Sequence, residues 1–412
     1  MRIVQIDSDG AAHRHYSYAR DLKGHFFALP SVSCVPDYQN ESGCKSFSPQ
    51  HPAVPLTRNQ TVQLSLRCKV MAVPVQEEGI PNTTVIPQSP IASEKLPIPR
   101  PISMGGEEEF RSVIRHASRL PLALRNALCR DGVFIGNPGK VVALLEKMMT
   151  AGAERFQVVT DFDATLTRYH RDGKGCDSSY GVLETTTMFP PFYREEASKL
   201  CDYYYPIELD QSMSLEVKSQ HMRDWWSKAH GFLMKTGLKA EWMGEMVRHS
   251  TVELRDGSLK LFELLENAGI PLLIFSAGIG DLIQEVLKQH GNFKPMIVAN
   301  FLDFSEEGVV RGFQKELIHT FNKHEIFSHH QTDYFAKHEE RRNVLVMGDM
   351  MGDLKMADGM RAKEDVLTVG FLNSKIQKCF PEYRDGFDIV LIDDQTHDIP
   401  ISIVEAIING AT

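Results

Sequence analysis

The feature that most constrains the fold is a series of short apolar runs separated by longer stretches with helical spacing. The runs are FQVVT (156–160), PLLIF (271–275), MIVAN (296–300), NVLVM (343–347), VLTVG (366–370) and DIVLI (388–392). Continuous apolar runs that are rich in β-branched residues and bounded by turn residues are typical of strands buried on both faces. Strands alternating with helices predict an α/β fold with a doubly wound parallel sheet.

Two segments depart from this alternation. Residues 1–105 are rich in Pro, Ser, Asn and Gln with few periodic stretches, which predicts a disordered N-terminal region. Residues 167–250 contain helical stretches but no comparable apolar run, which predicts a mostly helical cap inserted over the strand ends. We call residues 167–250 the cap segment. The α/β core is then expected to comprise residues 106–166 and 251–412.

Local signals place helix boundaries before the first predicted strand. Helical spacing begins at Glu107 and is interrupted by Pro121. Asn137 is the predicted N-cap of the next helix, which has Pro138 in its first turn.

Composition and charge exclude several classes of protein. The 412 residues are 42% hydrophobic, enough for a substantial core, and carry a formal net charge of −9. That charge argues against a protein that coats nucleic acid or anionic membranes, and no apolar run reaches the roughly 18 residues of a membrane span. The seven scattered cysteines form no C-x-x-C pair, which favours reduced thiols. We therefore expect a cytoplasmic monomer that binds neither nucleic-acid polymers nor membranes.

Polar residues follow the predicted strands where each strand ends. They are Asp161, Asp163, Ser276, Asp349 and Asp353, and Lys323 lies on a segment between two of the runs. The carboxyl ends of parallel strands meet at the edge where such sheets bind ligands. We therefore expect these side chains to converge there.

This set of residues predicts phosphoryl transfer. Four carboxylates at one edge repel one another, and a divalent cation with oxygen ligands, Mg²⁺, is the natural counterion. Asp161 is the predicted nucleophile that forms an aspartyl-phosphate, and Asp163 the general acid and base, which needs a raised pKa. Ser276 and Lys323 would hold the transferring oxygens, and Gly278 would let the backbone come close.

Each of these residues alone has a structural alternative. A D-x-D sequence after a strand is often a turn. Ser276 also fits the cap of the following helix, and an isolated lysine such as Lys323 is usually a solvated surface charge. The stretch GNPGK (136–140) is too short for a phosphate-binding P-loop, which excludes a kinase of that class.

The segments DFDATL, FSAG and GDMMGD, together with Lys323, resemble the four motifs of the haloacid-dehalogenase phosphohydrolase superfamily. Further stretches, including GVFIGNP, CDYYYPIELD, WWSKAHG and MADG, resemble the cytosolic 5′-nucleotidase III family over roughly residues 130–410. The resemblance implies a haloacid-dehalogenase-like core with a cap. It also implies Mg²⁺-dependent hydrolysis of nucleoside 5′-monophosphates, with pyrimidine bases, 7-methylguanine or both, through an aspartyl-phosphate.

The same resemblance assigns residues to the metal and the phosphate. Asp161, Asp349 and the main-chain carbonyl of Asp163 match the Mg²⁺ ligands, and Asp353 matches a residue that holds metal-bound water. Phosphate binding is expected at Ser276, Ala277, Gly278 and Lys323.

Base recognition is expected in the cap segment. Glu208 matches the family's carboxylate that contacts the base, and the Trp225–Trp226 pair resembles the branch that also accepts 7-methylguanosine monophosphate. Trp226 would stack on the cationic purine with Glu208 as countercharge. Adjacent helical residues point about 100° apart, so at most one of Trp225 and Trp226 is expected to face the pocket. Gly181 departs from the family's asparagine near the base.

Two alternative functions remain open from the sequence. One is a capped phosphatase of the same superfamily for a small phosphorylated metabolite such as phosphoserine. The other is a catalytically silent, nucleotide-binding scaffold that recruits a partner through residues 1–105. An aspartyl-phosphate enzyme is also expected to pass its phosphoryl group weakly to other nucleosides.

Overall fold

The computed structural model describes most of the chain from residue 107 to residue 410. The described residues are 18–20, 26–28, 107–208, 210, 212–291, 293–323, 334, 337–358, 360 and 363–410. The predicted disordered region 1–105 lies outside them, apart from two antiparallel strands, β1 (Tyr18–Arg20) and β2 (Phe26–Ala28). The chain divides into two units, Met1–Ile91 and Ala92–Thr412, and the fold below belongs to the second.

Seven strands of the second unit form one sheet. In spatial order they are β3 (Val133–Ile135), β13 (Ile389–Ile392), β12 (Asp365–Leu372), β11 (Asn343–Gly348), β4 (Phe156–Thr160), β7 (Leu272–Ile279) and β8 (Met296–Asn300). All neighbours are parallel except β3, which pairs antiparallel with β13 at one edge. The six predicted strands and the parallel α/β sheet are confirmed. The short β3 was not predicted.

Alternate residues of the central strands enter two separate hydrophobic clusters. Val158 of β4 and Leu345 of β11 pack in one cluster, whereas Val159 and Val344 pack in the other. Successive side chains of a strand point to opposite faces. Both faces of the sheet are therefore covered, as in a doubly wound fold.

Helices connect the strands. Those in the described part of the unit are α1 (Glu107–His116), α2 (Leu122–Leu128), α3 (Pro138–Ala151), α4 (Ser179–Thr185), α5 (Pro191–Glu208), α6 (Leu215–Met234), α7 (Met243–His249), α8 (Ser258–Asn267), α9 (Gly280–His290), α10 (Ile376–Gly386) and α11 (Asp398–Asn409). The predicted cap of α3 is present, since the Asn137 side chain accepts the N–H of Lys140 at 2.9 Å. No helix in this part of the chain has the length and apolar character to cross a bilayer.

The cap segment is mostly helical. It contains α4 to α7 and a pair of two-residue strands, β5 (His170–Arg171) and β6 (Lys174–Gly175). Its two long helices, α5 and α6, pack against each other.

The cap segment leaves and rejoins the core through paired backbone. Thr167 and Leu254 form an antiparallel bridge. The N–H of Arg168 donates to the carbonyl of Glu253 at 2.8 Å. We call these four residues the stalk.

A β-hairpin after β8 also contacts the cap segment. Its strands are β9 (Leu302–Phe304) and β10 (Val310–Phe313), and the sequence had not predicted them. The Phe313 ring stacks on His230 of α6 with 3.6 Å between centroids, and the N–H of Val310 donates to the carbonyl of Leu238 at 2.8 Å. The hairpin thus supports α6 from the core side of the chain.

Candidate active site

The carboxyl ends of β11, β4 and β7 lie side by side because these strands are consecutive in the sheet. Asp161 follows β4 directly, Asp349 follows β11, and Ser276 lies in the last half of β7. Parallel pairing therefore brings residues from three distant parts of the sequence to one edge.

Lys323 is buried among the acidic side chains at these strand ends. Its side chain is 4% exposed, and Nζ donates to Oδ1 of Asp161 at 2.5 Å and to Oδ1 of Asp353 at 2.7 Å. Burial alone lowers the pKa of Lys323, but the charges of Asp161 and Asp353 raise that pKa above its ordinary value. The interpretation of Lys323 as a surface charge is wrong, and the residue is a buried cation between two carboxylates.

Three carboxylates crowd together at the site. Asp161, Asp349 and Asp353 each place an oxygen within 4.8 Å of the others. Burial raises the pKa of Asp161 to about 7, although Lys323 opposes the shift. Burial and then the charges of Asp161 and Asp353 raise the pKa of Asp349 well above its ordinary value. Full ionisation here requires more positive charge than Lys323 provides, and the all-oxygen donor set fits Mg²⁺.

Asp353 is held by the loop that it belongs to. Its Oδ2 accepts the main-chain N–H groups of Asp349 at 3.1 Å and Met350 at 2.9 Å, while Oδ1 accepts Lys323. The hydroxyl of Tyr383 donates to the carbonyl of Asp349. Both oxygens of Asp353 thus already have protein donors, which fits a residue that acts on a metal indirectly.

Asp163 is fixed by the first residue of α4. Its Oδ1 accepts the Ser179 N–H at 2.7 Å, and its Oδ2 accepts the Ser179 hydroxyl at 2.5 Å. Ser179 Oγ in turn accepts the N–H of Ile279 at 3.2 Å. Burial raises the pKa of Asp163 while the hydrogen bonds from Ser179 oppose that shift. Ser179 therefore joins Asp163 to the end of β7.

The loop between Asp161 and the cap segment is held by a buried guanidinium. Arg255, 1% exposed, donates from Nε to the carbonyl of Thr165 at 2.7 Å and from Nη2 to the carbonyl of Ala164. Its Nη2 also donates to Asn373 Oδ1 at 2.8 Å. Ala164 has a φ of 55°, an unfavourable value for a residue with a side chain, and these contacts hold it there.

The Ser276 hydroxyl bonds to the backbone within the last half of β7. Its Oγ accepts the N–H of Gly278 at 2.9 Å. Helix α9 starts at Gly280, and its N-cap, Ile279, makes no side-chain capping bond. The alternative interpretation of Ser276 as a helix cap is therefore wrong.

All of the predicted site residues line one cavity of about 440 Å³. They are Asp161, Asp163, Glu208, Trp226, Ser276, Ala277, Gly278, Lys323, Asp349 and Asp353. The cap segment supplies a second part of the wall, which includes Tyr180 of α4 and several residues of α5. Acids and aromatic rings thus border the same space.

Both tryptophans line the cavity, so the expectation of at most one is wrong. Trp225 stacks on Tyr204 of α5 at 5.7 Å, and Trp226 meets Tyr180 of α4 edge-on at 5.9 Å. The cavity is bordered by α4 and α5 together, so rings that leave α6 in different directions both reach it.

Tyr180 is oriented by a histidine of α6. Its hydroxyl lies 2.9 Å from His230 Nε2, and burial lowers the pKa of His230 to about 4. The pair is therefore neutral at physiological pH. Gly181 also lines the cavity, where an added Cβ would lie 3.2 Å from Cβ of Asp177.

Sequence reasoning missed the residues that hold the predicted ones. Ser179, Arg255, Asn373 and Thr320 each make a side-chain hydrogen bond to a distant part of the chain. The partners are 16 positions apart for Ser179 and Asp163, 112 for Thr320 and Glu208, and 118 for Arg255 and Asn373. No local pattern marks such contacts. Their only signal is position close to a motif or a predicted helix start.

Comparisons with known proteins agree on one family. The family described as pyrimidine 5′-nucleotidase (UMPH-1) matches residues 164–408. The 7-methylguanosine phosphate-specific 5′-nucleotidase of Homo sapiens is 38% identical over 285 residues, which is 69% of this chain and 95% of that protein. The putative cytosolic 5′-nucleotidase 3 of Caenorhabditis elegans is 31% identical over 73% of this chain and 82% of that protein.

A solved structure shares the fold. The crystal structure of cytosolic 5′-nucleotidase IIIB bound to cytidine matches with a TM-score of 0.62 and 34% identity, over 68% of this chain and 95% of that one.

Proposed function

Because the chain belongs to the pyrimidine 5′-nucleotidase (UMPH-1) family of nucleotide phosphatases, we propose that it hydrolyses pyrimidine and 7-methylguanosine 5′-monophosphates to nucleoside and phosphate. The observation that carries this proposal is the single cavity that joins a buried Asp161–Lys323 pair to the aromatic rings of the cap segment. The first end fits a phosphate and the second fits a base.

In the proposed reaction, an oxygen of Asp161 attacks phosphorus and forms an aspartyl-phosphate as the bond to O5′ breaks. Asp163 gives its proton to the departing O5′, which is consistent with the raised pKa of this buried carboxyl. A water molecule then attacks phosphorus and gives its proton to Asp163, and Asp161 is released. The Lys323 ammonium and the end of β7 at Ser276 and Gly278 would hold the phosphate oxygens.

Asp161 and Asp349 would hold Mg²⁺ with the main-chain carbonyl of Asp163. Asp353 would orient Asp161 through Lys323, and it would orient Asp349 by accepting the main-chain N–H of that residue. The clustering of buried carboxylates supports this assignment. A bound Mg²⁺ would neutralise the carboxylates and draw charge from the phosphate oxygens.

We further propose that residues 167–250 act as a cap that reads the base over a core of residues 106–166 and 251–412. Trp226 and Tyr180 offer ring faces, and Glu208 offers a carboxylate to a cationic base. The name of the Caenorhabditis elegans relative supports a cytosolic location, and we propose that the enzyme acts there as a monomer.

The test is phosphate release from CMP, UMP, 7-methyl-GMP, AMP and phosphoserine. Each would be measured with Mg²⁺, with a chelator and with Asp161→Asn. Turnover of the first three that needs Mg²⁺ and Asp161 supports the proposal. Turnover confined to phosphoserine, or none at all from folded protein, contradicts it.

Substitution of Trp226 tests base recognition. Trp226→Leu removes the aromatic face, and we expect kcat/KM for 7-methyl-GMP relative to p-nitrophenyl phosphate to fall roughly 10-fold or more, since stacking on a cation is worth up to about 2 kcal/mol. Trp226→Phe should retain most of the ratio. Trp242→Leu, outside the cavity, is the matched control. An unchanged ratio in Trp226→Leu would remove Trp226 from the base site.

Substitution of Gly278 tests the position of the general acid. A Cβ at this residue would lie 2.1 Å from Ser179 Oγ and 2.8 Å from Asp163 Oδ2, so Gly278→Ala must displace Ser179. We expect kcat to fall roughly 100-fold or more, the usual effect of losing a positioned acid. Gly231→Ala, where the added Cβ meets nothing within 4 Å, should keep wild-type kcat. Full activity of Gly278→Ala would show that this contact is dispensable.

A further inference from the structure

We propose that Thr320 is a positioning residue that couples base recognition by the cap segment to phosphate binding by Lys323. The inference rests on the proposed function, in which Glu208 contacts the base and Lys323 the phosphate. Thr320 belongs to the core and precedes Lys323 by three residues.

The hydroxyl of Thr320 reaches directly into the cap segment. Its Oγ1 donates to Oε1 of Glu208 at 2.7 Å, and Thr320 is only 8% exposed. Glu208 is the last residue of α5. A core residue thus fixes the side chain that the cap segment would use to read the base.

The residue after Thr320 makes a second contact to the same place. The ammonium of Lys218, on α6, lies 5.5 Å from the centroid of the Phe321 ring and donates to the main-chain carbonyl of Glu208 at 3.1 Å. Both the side chain and the backbone of Glu208 are therefore tied to Thr320 and Phe321.

On its other side, Thr320 packs against the loop that carries the acids. A Cβ on Gly352 would lie 2.2 Å from the Thr320 carbonyl oxygen, so the two backbones touch. The next residue, Asp353, accepts a hydrogen bond from Lys323 at 2.7 Å. A shift of Thr320 would therefore displace Asp353 and its partner Lys323.

The start of this segment is also linked by hydrogen bonds to Ala277, in the part of β7 that is proposed to bind phosphate. Asn300, at the end of β8, accepts the N–H of Ile318 at 2.9 Å and donates to the carbonyl of Ala277 at 2.7 Å. Residues 318–323 consequently form a hydrogen-bonded link from Glu208 to the phosphate end of the cavity. Because Thr320 holds the Glu208 side chain, the distance between the proposed base site and the proposed phosphate site is fixed, and one substrate molecule can fill both sites at once.

The test separates the two ends of the substrate. Thr320→Val keeps the side-chain shape and removes the donor, and Thr320→Ser keeps the donor. For each variant, kcat and KM are measured with CMP, with 7-methyl-GMP and with p-nitrophenyl phosphate, which has no base. Because a hydrogen bond to a charged group is worth roughly 10-fold or more, we expect Thr320→Val to lower kcat/KM for nucleotides relative to p-nitrophenyl phosphate by about that factor. Thr320→Ser should stay within about 2-fold of wild type.

A control at Thr150 and a pair of variants at Glu208 complete the test. Thr150→Val, an exposed threonine of α3 whose hydroxyl bonds the carbonyl of Glu146, is the matched control and should keep the wild-type ratio. Glu208→Ala removes the acceptor of the Thr320 hydroxyl, so adding Thr320→Val to Glu208→Ala should lower the ratio little further than Glu208→Ala alone.

The possible outcomes test the role of Thr320 separately from the proposed nucleotidase function. An unchanged ratio in Thr320→Val, or an equal loss on all substrates, overturns the coupling and leaves the nucleotidase intact. Wild-type protein that cleaves p-nitrophenyl phosphate through Asp161 but no nucleotide overturns the proposed function, and the coupling with it.

Discussion

Replacing Asp161 by asparagine is expected to lower the rate of phosphate release at least about 10,000-fold, the scale of effect seen when a nucleophile is removed. An amide oxygen does not form the aspartyl-phosphate, so the first chemical step is lost. The fold should survive, because the amide oxygen still accepts the Lys323 hydrogen bond that Oδ1 accepts now. Rapid-quench measurement with intact-mass analysis should show phosphate on the wild-type protein during turnover and none on Asp161→Asn.

The matched control for this change is Asp385→Asn. Asp385 is an exposed aspartate that pairs with the neighbouring Arg384, and its loss should leave turnover within about 2-fold. A residual rate above about one hundredth of wild type in Asp161→Asn would contradict its assignment as nucleophile.

Replacing Asp349 by asparagine is expected to remove the response of the protein to Mg²⁺. Turnover should fall at least about 1,000-fold, and the rise in Tm that Mg²⁺ gives the wild type should disappear. In chelator at pH 8, Asp349→Asn should melt above the wild type, because it removes a carboxyl whose pKa is raised by burial and by Asp161 and Asp353. Phosphate-release assays check the first expectation, and thermal melts with Mg²⁺ and with chelator check the other two.

Melts of the metal-free protein at different pH values test a further prediction, namely the direction in which its stability changes with pH. Burial raises the pKa of Asp161 from 3.8 to about 7 in the folded protein, so the folded state holds a proton that the unfolded state loses. The stability of the metal-free protein should therefore fall as pH rises from about 4 to about 7. Mg²⁺ should flatten this decline. Equal stabilisation of wild type and Asp349→Asn by Mg²⁺ would contradict the proposed metal site.

Much of the fold could be predicted because its strands are buried on both faces. FQVVT reads as a strand despite two polar residues, and in the structure Gln157 and Thr160 are both fully buried within β4. Polar residues that follow such strands in a parallel sheet have one place to go, so the convergence of Asp161, Ser276 and Asp349 follows from topology.

The remaining features depend on contacts that no local pattern records. Arg255 looks like an ordinary turn residue in sequence, yet its guanidinium holds the loop beside the acids. The three-residue β3 is too short to show periodicity, and the β9–β10 hairpin forms where it meets α6. Trp225 and Trp226 follow the expected helical geometry. What the sequence could not show is that the cavity extends to both α4 and α5.

The stalk has a consequence for how such proteins diversify. Thr167 and Leu254 lie opposite each other in an antiparallel bridge, so the chain enters and leaves the cap segment at almost the same point. Segments whose ends meet are the ones that tolerate exchange, lengthening or loss without a change in the surrounding domain. Here a single uninterrupted stretch carries the wall that would choose the ligand, and the nucleophile lies outside it. Recombination or drift within that stretch can therefore produce new substrate preferences with the inherited chemistry, as long as Ser179, which holds Asp163, is kept.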